Sequence, residues 1–278
     1  MSKILITAGN SFIAKSIITY LEKQGHYIFA PNKSQLNLLN NVDLFEVFKD
    51  DKYDLVIHTA SKGGRRFNKD TEIDFVNNTD MLLNLLTYQR KYKFKLIVFS
   101  SGAELDVRNN LFNVHEDYFN SIPVDYYGKF KYLQTKLIED NLNIFNLRLF
   151  NVFSEHGMND SFIPVCINKC LQNESIEIWE DKFFTTFHGE DLAILIDFLI
   201  NYKQRCRFIK FNCGYKEFLK LSNIAEKIIK LTNSKSEIII KQNIGKSYHG
   251  NCDRLYMQGL KFNGLERGLE KYINRNYE

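Results

Sequence analysis

The sequence contains few prolines and no pair of cysteines spaced for a metal or redox motif. Its 278 residues include three prolines and five cysteines, and no Cys-x-x-Cys occurs. An odd number of cysteines without a spaced framework predicts reduced thiols in a cytoplasmic protein, and we predict no metal site. These cysteines are Cys166, Cys170, Cys206, Cys213 and Cys252.

The chain also lacks a long hydrophobic run and a strong charge of either sign. No apolar stretch approaches the roughly 20 residues of a membrane-spanning helix, and the opening MSKILITAG lacks the apolar core of a signal peptide. The net charge of +4 gives no reason to expect nucleic acid as a partner. We therefore predict a cytoplasmic protein with neither a membrane nor a nucleic-acid partner.

The first half of the chain alternates short apolar runs with segments of helical period. The apolar runs lie at residues 4–6, 27–30, 55–57, 96–99 and 144–149. Strands without a polar face that alternate with helices predict a parallel sheet covered on both sides. The predicted class is α/β, a Rossmann-type doubly wound parallel sheet with a smaller mixed α/β C-terminal lobe. We place the dinucleotide-binding domain at 1–155 and the substrate lobe at 156–278, with some of its elements returning to the main sheet.

The loop after the first strand is rich in small residues. It reads TAGNSFIA at residues 7–14, with Ala8, Ser11 and Ala14 where a dinucleotide-binding turn has glycines and with Gly9 beside them. Small residues here let the backbone approach a pyrophosphate at a helix N-terminus. They also suit plain strand–helix packing, so this eroded motif alone does not decide between the two interpretations.

The end of the second strand lacks an acidic residue. The stretch APNKS at residues 30–34 has no carboxylate for a ribose 2′-hydroxyl, and it contains Lys33. This composition favours a 2′-phosphate, and hence NADP, over NAD. The alternative interpretation of Lys33 is a solvated lysine in a loop.

Two later segments carry candidate reactive groups. The stretch VDYYGKFKY at residues 124–132 places Tyr127 and Lys131 on one face of a helix, one turn apart. The run SSGA at 100–103 places Ser101 after a strand. Taken singly, these residues also suit an ordinary amphipathic helix and a turn. The loop GGRR at 63–66 offers Arg65 and Arg66, which suit either phosphate binding or a solvated turn.

In order and spacing, these features resemble the extended short-chain dehydrogenase/reductase family of nucleotide-sugar epimerases, dehydratases and reductases. LRLFNVF at 147–153, VIHTAS at 56–61, DFVNNTDMLLNLL at 74–86 and FHGEDLA at 187–193 are similar to further signatures of that family. YHGNCDRLYMQGL and LERGLEKYI near the end resemble its C-terminal pattern, so the likeness covers essentially the whole chain. Within the family, the sequence is most similar to short reductases of the fucose-synthase and dehydrorhamnose-reductase type.

The resemblance implies a mechanism. Tyr127 would give its proton to a carbonyl oxygen as hydride arrives from the nicotinamide, and Ser101 would donate a hydrogen bond to the same oxygen. Lys131 would hold the ribose hydroxyls and lower the pKa of Tyr127, which is near 10 for a free phenol. The resemblance further implies a homodimer through the helices after Asn78 and around Tyr127.

The residues expected at the site fall into two groups. Those expected to bind the cofactor are Thr7, Gly9, Asn10, Ser11, Phe12, Ile13, Lys33, Thr59, Ala60, Asn78, Tyr127 and Lys131. Those expected to bind the substrate are Lys62, Gly63, Arg65, Ala103, Asn151, Ser161 and Arg254.

The sequence is consistent with three functions. The first is an NADP(H)-dependent ketoreductase acting on a 4-keto nucleotide-linked deoxysugar. The alternatives are an NAD-dependent nucleotide-sugar 4-epimerase and a non-catalytic dinucleotide-binding member of the fold. Ala103 and Ser161 stand where the epimerising relatives have a cysteine and a histidine, so we expect no 3,5-epimerase activity unless His156 substitutes. Phe184 replaces a basic residue common before the substrate-lobe signature.

Overall fold

The computed structural model describes residues 1–50, 52–64, 69–157, 160–202 and 208–275. Arg65, Arg66 and Cys206 lie outside these ranges. The elements in chain order are β1 (Lys3–Ile6), α1 (Phe12–Lys23), β2 (Tyr27–Phe29), α2 (Asn41–Lys49), β3 (Leu55–His58), α3 (Glu72–Tyr92), β4 (Lys95–Ser101), β5 (Leu111–Val114), α4 (Tyr126–Ile138), β6 (Ile144–Leu149), β7 (Val152–Phe153), α5 (Phe162–Leu171), β8 (Ile176–Glu180), β9 (Phe187–His188), α6 (Gly189–Asn201), β10 (Lys210–Cys213), α7 (Leu221–Thr232), β11 (Ile238–Gln242), β12 (Tyr248–Gly250), α8 (Asp253–Tyr256) and α9 (Leu265–Arg275).

The central sheet has six parallel strands in the order β10-β6-β4-β3-β1-β2. Strand order reverses direction around β1 and β3, which is the doubly wound arrangement that the alternating pattern predicts. The strands β1 and β3 are almost entirely buried, as expected for a sheet covered on both faces. The predicted α/β fold class is confirmed.

The chain divides into two compact units. The first contains residues 1–106, 119–148 and 193–211. One face of its sheet packs on a cluster of buried apolar side chains from β1, β3, β4, α2, α3 and α4, in which Phe48 stacks on Phe94 with ring centroids 5.4 Å apart. Burial of such side chains contributes roughly 1.5–3 kcal/mol each, so this cluster is a main source of stability for the sheet.

The second unit contains residues 107–118, 149–192 and 212–278, and we describe residues 212–275 of its last segment. Its described strands form three parallel pairs, β11 with β8, β12 with β5 and β7 with β9. Helix α5 packs against α7, and Cys166 and Cys170 share the buried face of α5. The sequence-based boundary at residue 155 stays a prediction.

The sequence pattern places three helices in the second half of the chain within two residues of their bounds. It predicts helices at 161–172, 191–202 and 219–231, where the structure has α5, α6 and α7. Helix α2 was not predicted, although Asn40 is a good N-cap whose side chain accepts from the Val42 amide at 2.9 Å. In the described residues, no helix combines the length and apolar character required to cross a bilayer.

Candidate active site

The turn after β1 is shaped by a close approach to the end of β2. A Cβ on Gly9 would lie 2.0 Å from the Ala30 carbonyl oxygen, and the Gly9 amide donates to Pro31 O at 2.9 Å. Only glycine fits at this point. Ala8 takes the left-handed conformation with φ 49°, which is uncommon for a residue with a side chain. Small residues are therefore required at positions 8 and 9 by the path of the backbone itself.

Ser11 and Thr59 join the ends of β1 and β3. Ser11 caps α1 by accepting from the Ala14 amide at 3.3 Å, and its hydroxyl lies 2.9 Å from the Thr59 hydroxyl. Thr59 in turn donates to Thr7 O. Asn10 is exposed, and Phe12 and Ile13 are half-buried in the first turn of α1. A helix N-terminus at the carboxyl end of a central strand is where an anionic cofactor group binds in this type of fold.

Thr7 also determines which ring nitrogen of the buried His58 carries the hydrogen. The Thr7 hydroxyl oxygen accepts from the Thr59 and Ala60 amides at 3.1 and 3.2 Å, so its proton goes to His58 Nδ1 at 3.1 Å. Burial, with a smaller contribution from the charge of Lys131, lowers the pKa of His58 to about 3. This imidazole is therefore neutral, with its hydrogen on Nε2.

Tyr127 and Lys131 lie on the first two turns of α4. The helix begins after Asp125, whose carboxylate accepts from the Gly128 amide at 2.7 Å. Tyr127 makes a side-chain hydrogen bond with Ser101, and the Lys131 ammonium stands 5.5 Å from the Tyr127 ring centroid. Ser101 ends β4 and its hydroxyl also accepts from the Ala103 amide at 3.1 Å. The structure thus brings the three predicted catalytic side chains together.

The pKa of Tyr127 differs from the expectation. Burial, with the negative charges of Asp70 and Asp125, raises it to about 12, and the hydrogen bond with Ser101 acts in the opposite direction. The predicted lowering by Lys131 is wrong for the protein alone. Lys131 is not among the groups that shift this pKa, and its ammonium donates to Phe99 O at 2.7 Å.

Lys131 itself is an unusual lysine. It is buried, and burial lowers its pKa to about 7, while the carboxylate of Glu104 acts in the opposite direction. Near neutral pH it is therefore divided between its charged and neutral forms. Such a group responds to small changes in its electrostatic surroundings.

The loop after β3 packs on the Tyr127 ring. A Cβ on Gly64 would lie 2.7 Å from Cε1 of Tyr127, and one on Gly63 would lie 3.3 Å from Cδ2. Asp70 holds this loop by accepting from the Gly64 amide at 3.0 Å. Asn78 anchors its start through two bonds to the Lys62 backbone, at 3.0 and 2.8 Å. Asn78 thus holds this loop within the described residues, and its role in cofactor binding stays a prediction.

The other predicted residues of the first unit are arranged as follows. Lys33 is exposed beyond β2, in a turn organised by the Asn32 side chain. Lys62 forms an ion pair with Asp74 at 2.7 Å, which lowers the pKa of that carboxyl to about 2. Ala103 lies in the 3₁₀ turn after β4, against Gly128 of α4.

The predicted substrate residues of the second unit are engaged with neighbours in that unit. Asn151 donates to the Thr186 hydroxyl at 3.1 Å, and Ser161 is the N-cap residue of α5. Arg254 pairs with Asp117 at 2.5 Å and with Glu116 at 3.6 Å. Phe184 packs beside Tyr248, with ring centroids 6.2 Å apart.

Three residues of this region were missed by the sequence analysis: Asp70, Glu104 and His58. Asp70 and Glu104 are isolated acidic residues in loops, and nothing in a single sequence separates them from solvated ones. His58 ends a strand on a buried position, which is a weak signal that could have been used.

A parallel sheet with a small-residue turn at β1, and with serine, tyrosine and lysine at the ends of β4 and on α4, defines a dinucleotide-binding α/β protein with the groups of a dehydrogenase. The sequence profile of the NAD dependent epimerase/dehydratase family matches residues 4–214. The chain belongs to this family.

Individual relatives are distant. A GDP-L-fucose synthase of Azorhizobium caulinodans is 26% identical over 207 residues, which span 64% of this chain and 64% of that protein. The structure is similar to dTDP-4-dehydrorhamnose reductase from Bacillus anthracis in complex with NADP, with TM-score 0.84 and 18% identity, covering 99% and 98% of the two chains. GDP-mannoheptose C4 reductase from Campylobacter jejuni with NADP bound gives TM-score 0.83 and 18% identity, with the same coverage.

Proposed function

We propose that this protein is an NADP(H)-dependent ketoreductase that acts on C4 of a 4-keto nucleotide-linked deoxysugar. The observation that carries the proposal is the hydrogen bond between Ser101 and Tyr127 beside the buried Lys131. Binding of a dinucleotide alone does not require all three. The two similar structures that hold NADP are named as reductases of nucleotide-linked sugars, which supports this substrate class.

The cofactor part of the proposal depends on two strand ends. The turn after β1, with Gly9, Asn10 and Ser11 at the N-terminus of α1, would hold the pyrophosphate. Thr7, Phe12, Ile13, Thr59, Ala60 and Asn78 line or support the same strand ends. Lys33, without an acid nearby, favours the 2′-phosphate of NADP, although NAD(H) stays an alternative. When bound, NADPH supplies the hydride.

The protein supplies the proton. A phenol with a pKa of about 12 is fully protonated at neutral pH, which is the state in which Tyr127 can donate to a carbonyl oxygen. Ser101 donates a hydrogen bond to the same oxygen and so stabilises the charge that develops there. Lys131, held by Phe99 O, would contribute its remaining ammonium hydrogens to the ribose hydroxyls.

We include in the proposal that the enzyme does not epimerise C3 or C5. That reaction requires an acid and a base beyond the tyrosine. Alanine at 103 has no proton to transfer, and a serine hydroxyl at 161 is a weak acid and a weak base near neutral pH. The Arg275 guanidinium lies 3.3 Å from Nδ1 of His156, so this ring nitrogen is already engaged with a neighbour.

The test of the main proposal is NADPH oxidation after addition of a 4-keto nucleotide sugar. Enzyme-dependent oxidation, abolished by Tyr127→Phe, is the expected result. Binding of NADPH without oxidation across dTDP- and GDP-linked 4-keto sugars would favour the non-catalytic alternative. Inversion at C4 of a nucleotide sugar with NAD⁺ alone would favour the 4-epimerase.

The absence of epimerisation has its own test. The enzyme is incubated with NADP⁺ and the 4-keto substrate in deuterated water, and deuterium at C3 and C5 is measured by NMR. Uptake at the rate of the uncatalysed background is expected. Enzyme-accelerated uptake would show that another acid–base pair replaces the missing cysteine and histidine.

A homodimer through α3 and α4 completes the proposal. Ile73, Val76 and Leu83 project from one face of α3 and remain between 41% and 59% exposed in the single chain. Analytical ultracentrifugation should give a dimer that Leu83→Lys weakens. A monomer at every concentration would remove this part of the proposal and leave the reductase untouched.

A further inference from the structure

Glu104 lies behind the proposed catalytic residues as a buried carboxylate with several donors. It is 3% exposed and sits in the 3₁₀ turn that follows Ser101. Arg148 of β6 donates to Oε1 through Nε at 2.7 Å and also through Nη2. These donors hold the carboxylate in one position, because a buried charge that loses its hydrogen-bonding partners destabilises the fold.

The other carboxylate oxygen connects two elements that carry the site. The hydroxyls of Ser100, on β4, and Thr135, on α4, both donate to Oε2, the second over 2.6 Å. Ser100 directly precedes Ser101, and Thr135 lies one helical turn beyond Lys131 on the same face. Thr135 is itself fixed, because Asn146 donates to its hydroxyl at 2.8 Å.

We propose that Glu104 is a positioning residue for the reaction: its carboxylate ties the turn that follows Ser101 to the helix that carries Tyr127 and Lys131, and its negative charge favours the ammonium form of Lys131. The inference rests on the proposed function. It concerns a residue that contacts neither carbonyl nor cofactor and acts through its neighbours.

The electrostatic part follows from the groups that face Lys131. His58 of β3 is neutral, Tyr127 of the same helix is a neutral phenol, and Phe99 offers only its carbonyl. Among the groups that shift the pKa of Lys131, Glu104 supplies the negative charge that raises it, and burial acts in the opposite direction. Removal of that charge should therefore lower the pKa of Lys131 below about 7.

The first experiment compares Glu104→Gln with the wild type in the pH dependence of kcat/KM. We expect the activity loss on the alkaline side, where Lys131 loses its proton, to move to lower pH by about one unit. The control, Ser100→Ala, removes one hydrogen bond to Glu104 but keeps its charge, so its profile should not move. An unmoved profile in Glu104→Gln, or an equal shift in Ser100→Ala, would overturn the electrostatic role.

A second measurement needs no substrate and so separates this inference from the proposed function. The protein is labelled with ¹³C at lysine Cε, and the Lys131 signal is assigned by its loss in Lys131→Met. It should titrate near pH 7 in the wild type and at lower pH in Glu104→Gln. An unchanged titration contradicts the inference even if the protein proves to be a reductase.

Thr135→Val tests the tie to α4 and serves if Glu104→Gln does not fold. It keeps the charge of Glu104 and its pair with Arg148 but cuts the link to the helix. We expect kcat to fall about tenfold or more while the KM for NADPH rises by a smaller factor, since misplaced catalytic groups cost more in rate than in binding. A kcat within twofold of the wild type would show that the tie has no part in catalysis.

Discussion

At the scale of single residues, the prediction with the clearest outcome concerns Tyr127. Tyr127→Phe removes the phenol hydroxyl and with it the proton donor, while the ring still packs against Gly63 and Gly64. We expect turnover to fall on the order of 100- to 10,000-fold, with the dissociation constant for NADPH nearly unchanged. Steady-state rates and a fluorescence titration check both parts. A variant that keeps more than about a tenth of the wild-type rate would exclude Tyr127 as the general acid.

Gly64 is predicted to be essential because of what it faces. A methyl group there would meet the Tyr127 ring at 2.7 Å, and its φ of +72° strains any side chain. Gly64→Ala should lower kcat at least about tenfold, because it displaces the phenol from Ser101. Gly259→Ala is the matched control: its φ is +76° but nothing lies within 4 Å of an added Cβ. Equal kinetic losses in both variants would attribute the effect to backbone strain alone.

The residue scale also shows what a single sequence cannot convey. The spacing of Tyr127 and Lys131 predicts that they share a helix face, because helical geometry is local. The raised pKa of Tyr127 was not predicted, because it depends on burial and on Asp70, which is 57 positions away in the sequence. Glu104 reads as a surface residue until its partner Arg148 is placed beside it by the sheet.

At the scale of elements, two substitutions of the N-cap residue of α4, Asp125, should have different effects on stability and on the pKa of Tyr127. Asp125→Ala removes the acceptor of the Gly128 amide and should lower the free energy of unfolding by about 1 kcal/mol. Asp125→Asn keeps a capping oxygen but removes the charge that raises the pKa of Tyr127. It should therefore be nearly as stable as the wild type and have a lower phenol pKa. Urea denaturation and ultraviolet titration of the phenolate distinguish the two, and an equal stability loss in both would contradict the capping argument.

The end of β2 is predicted to set the cofactor preference. Lys33→Ala should raise the dissociation constant for NADPH by about tenfold and leave that for NADH within twofold, because only NADPH carries the 2′-phosphate. Lys23→Ala, another lysine of the same unit at the end of α1, is the control. Wild-type protein with equal affinities for the two cofactors would show that Lys33 is a solvated loop residue.

Elements were predicted well wherever the apolar period is clear. The parallel strands β1, β3, β4 and β6 stand out because they are buried on both faces, and β6 has the predicted bounds. The short pairs β7 with β9 and β12 with β5 were not predicted, since β7 and β9 have only two residues each and polar residues interrupt the apolar runs of β5 and β12. The turn after β1 was recognised by its small residues, but the need for glycine at position 9 comes from Ala30, which only the fold brings close.

At the scale of the whole molecule, the sequence predicts the doubly wound parallel sheet better than it predicts which segments belong to each of the two units. The chain leaves the first unit at residues 107–118 and returns to it at 193–211. Only the return at 193–211 agrees with the expectation that some elements of the C-terminal half return to the main sheet. The departure at 107–118 was not expected. Segment 107–118 joins the second unit through pairing of β5 with β12, a contact between residues about 137 positions apart that no local pattern encodes.

One buried carboxylate in the second unit connects segments that are far apart in the sequence. Asp191 is fully buried and accepts from the Tyr215 hydroxyl at 2.6 Å and from the backbone amides of Asn263 and Gly264 at 2.8 and 3.2 Å. It thereby joins the start of α6 to two segments that follow it by 24 and by more than 70 residues. Burial, together with this carboxylate, raises the pKa of Tyr215 well above its ordinary value, so this hydroxyl stays a donor at every physiological pH.

Asp191→Ala is therefore predicted to be among the more destabilising substitutions in this unit. It leaves the buried Tyr215 hydroxyl without its acceptor, and hydrogen bonds to charged groups contribute about 1.5–3 kcal/mol each. We expect a loss of roughly 3 kcal/mol or more in urea denaturation, with Asp191→Asn intermediate because an amide oxygen can still accept. Asp253→Ala, a carboxylate that is 55% exposed, should change the free energy of unfolding by less than about 0.5 kcal/mol. If Asp191→Ala were no more destabilising than Asp253→Ala, the closure of the unit would have to come from apolar contacts such as those of Phe187 with Tyr215 and Phe262.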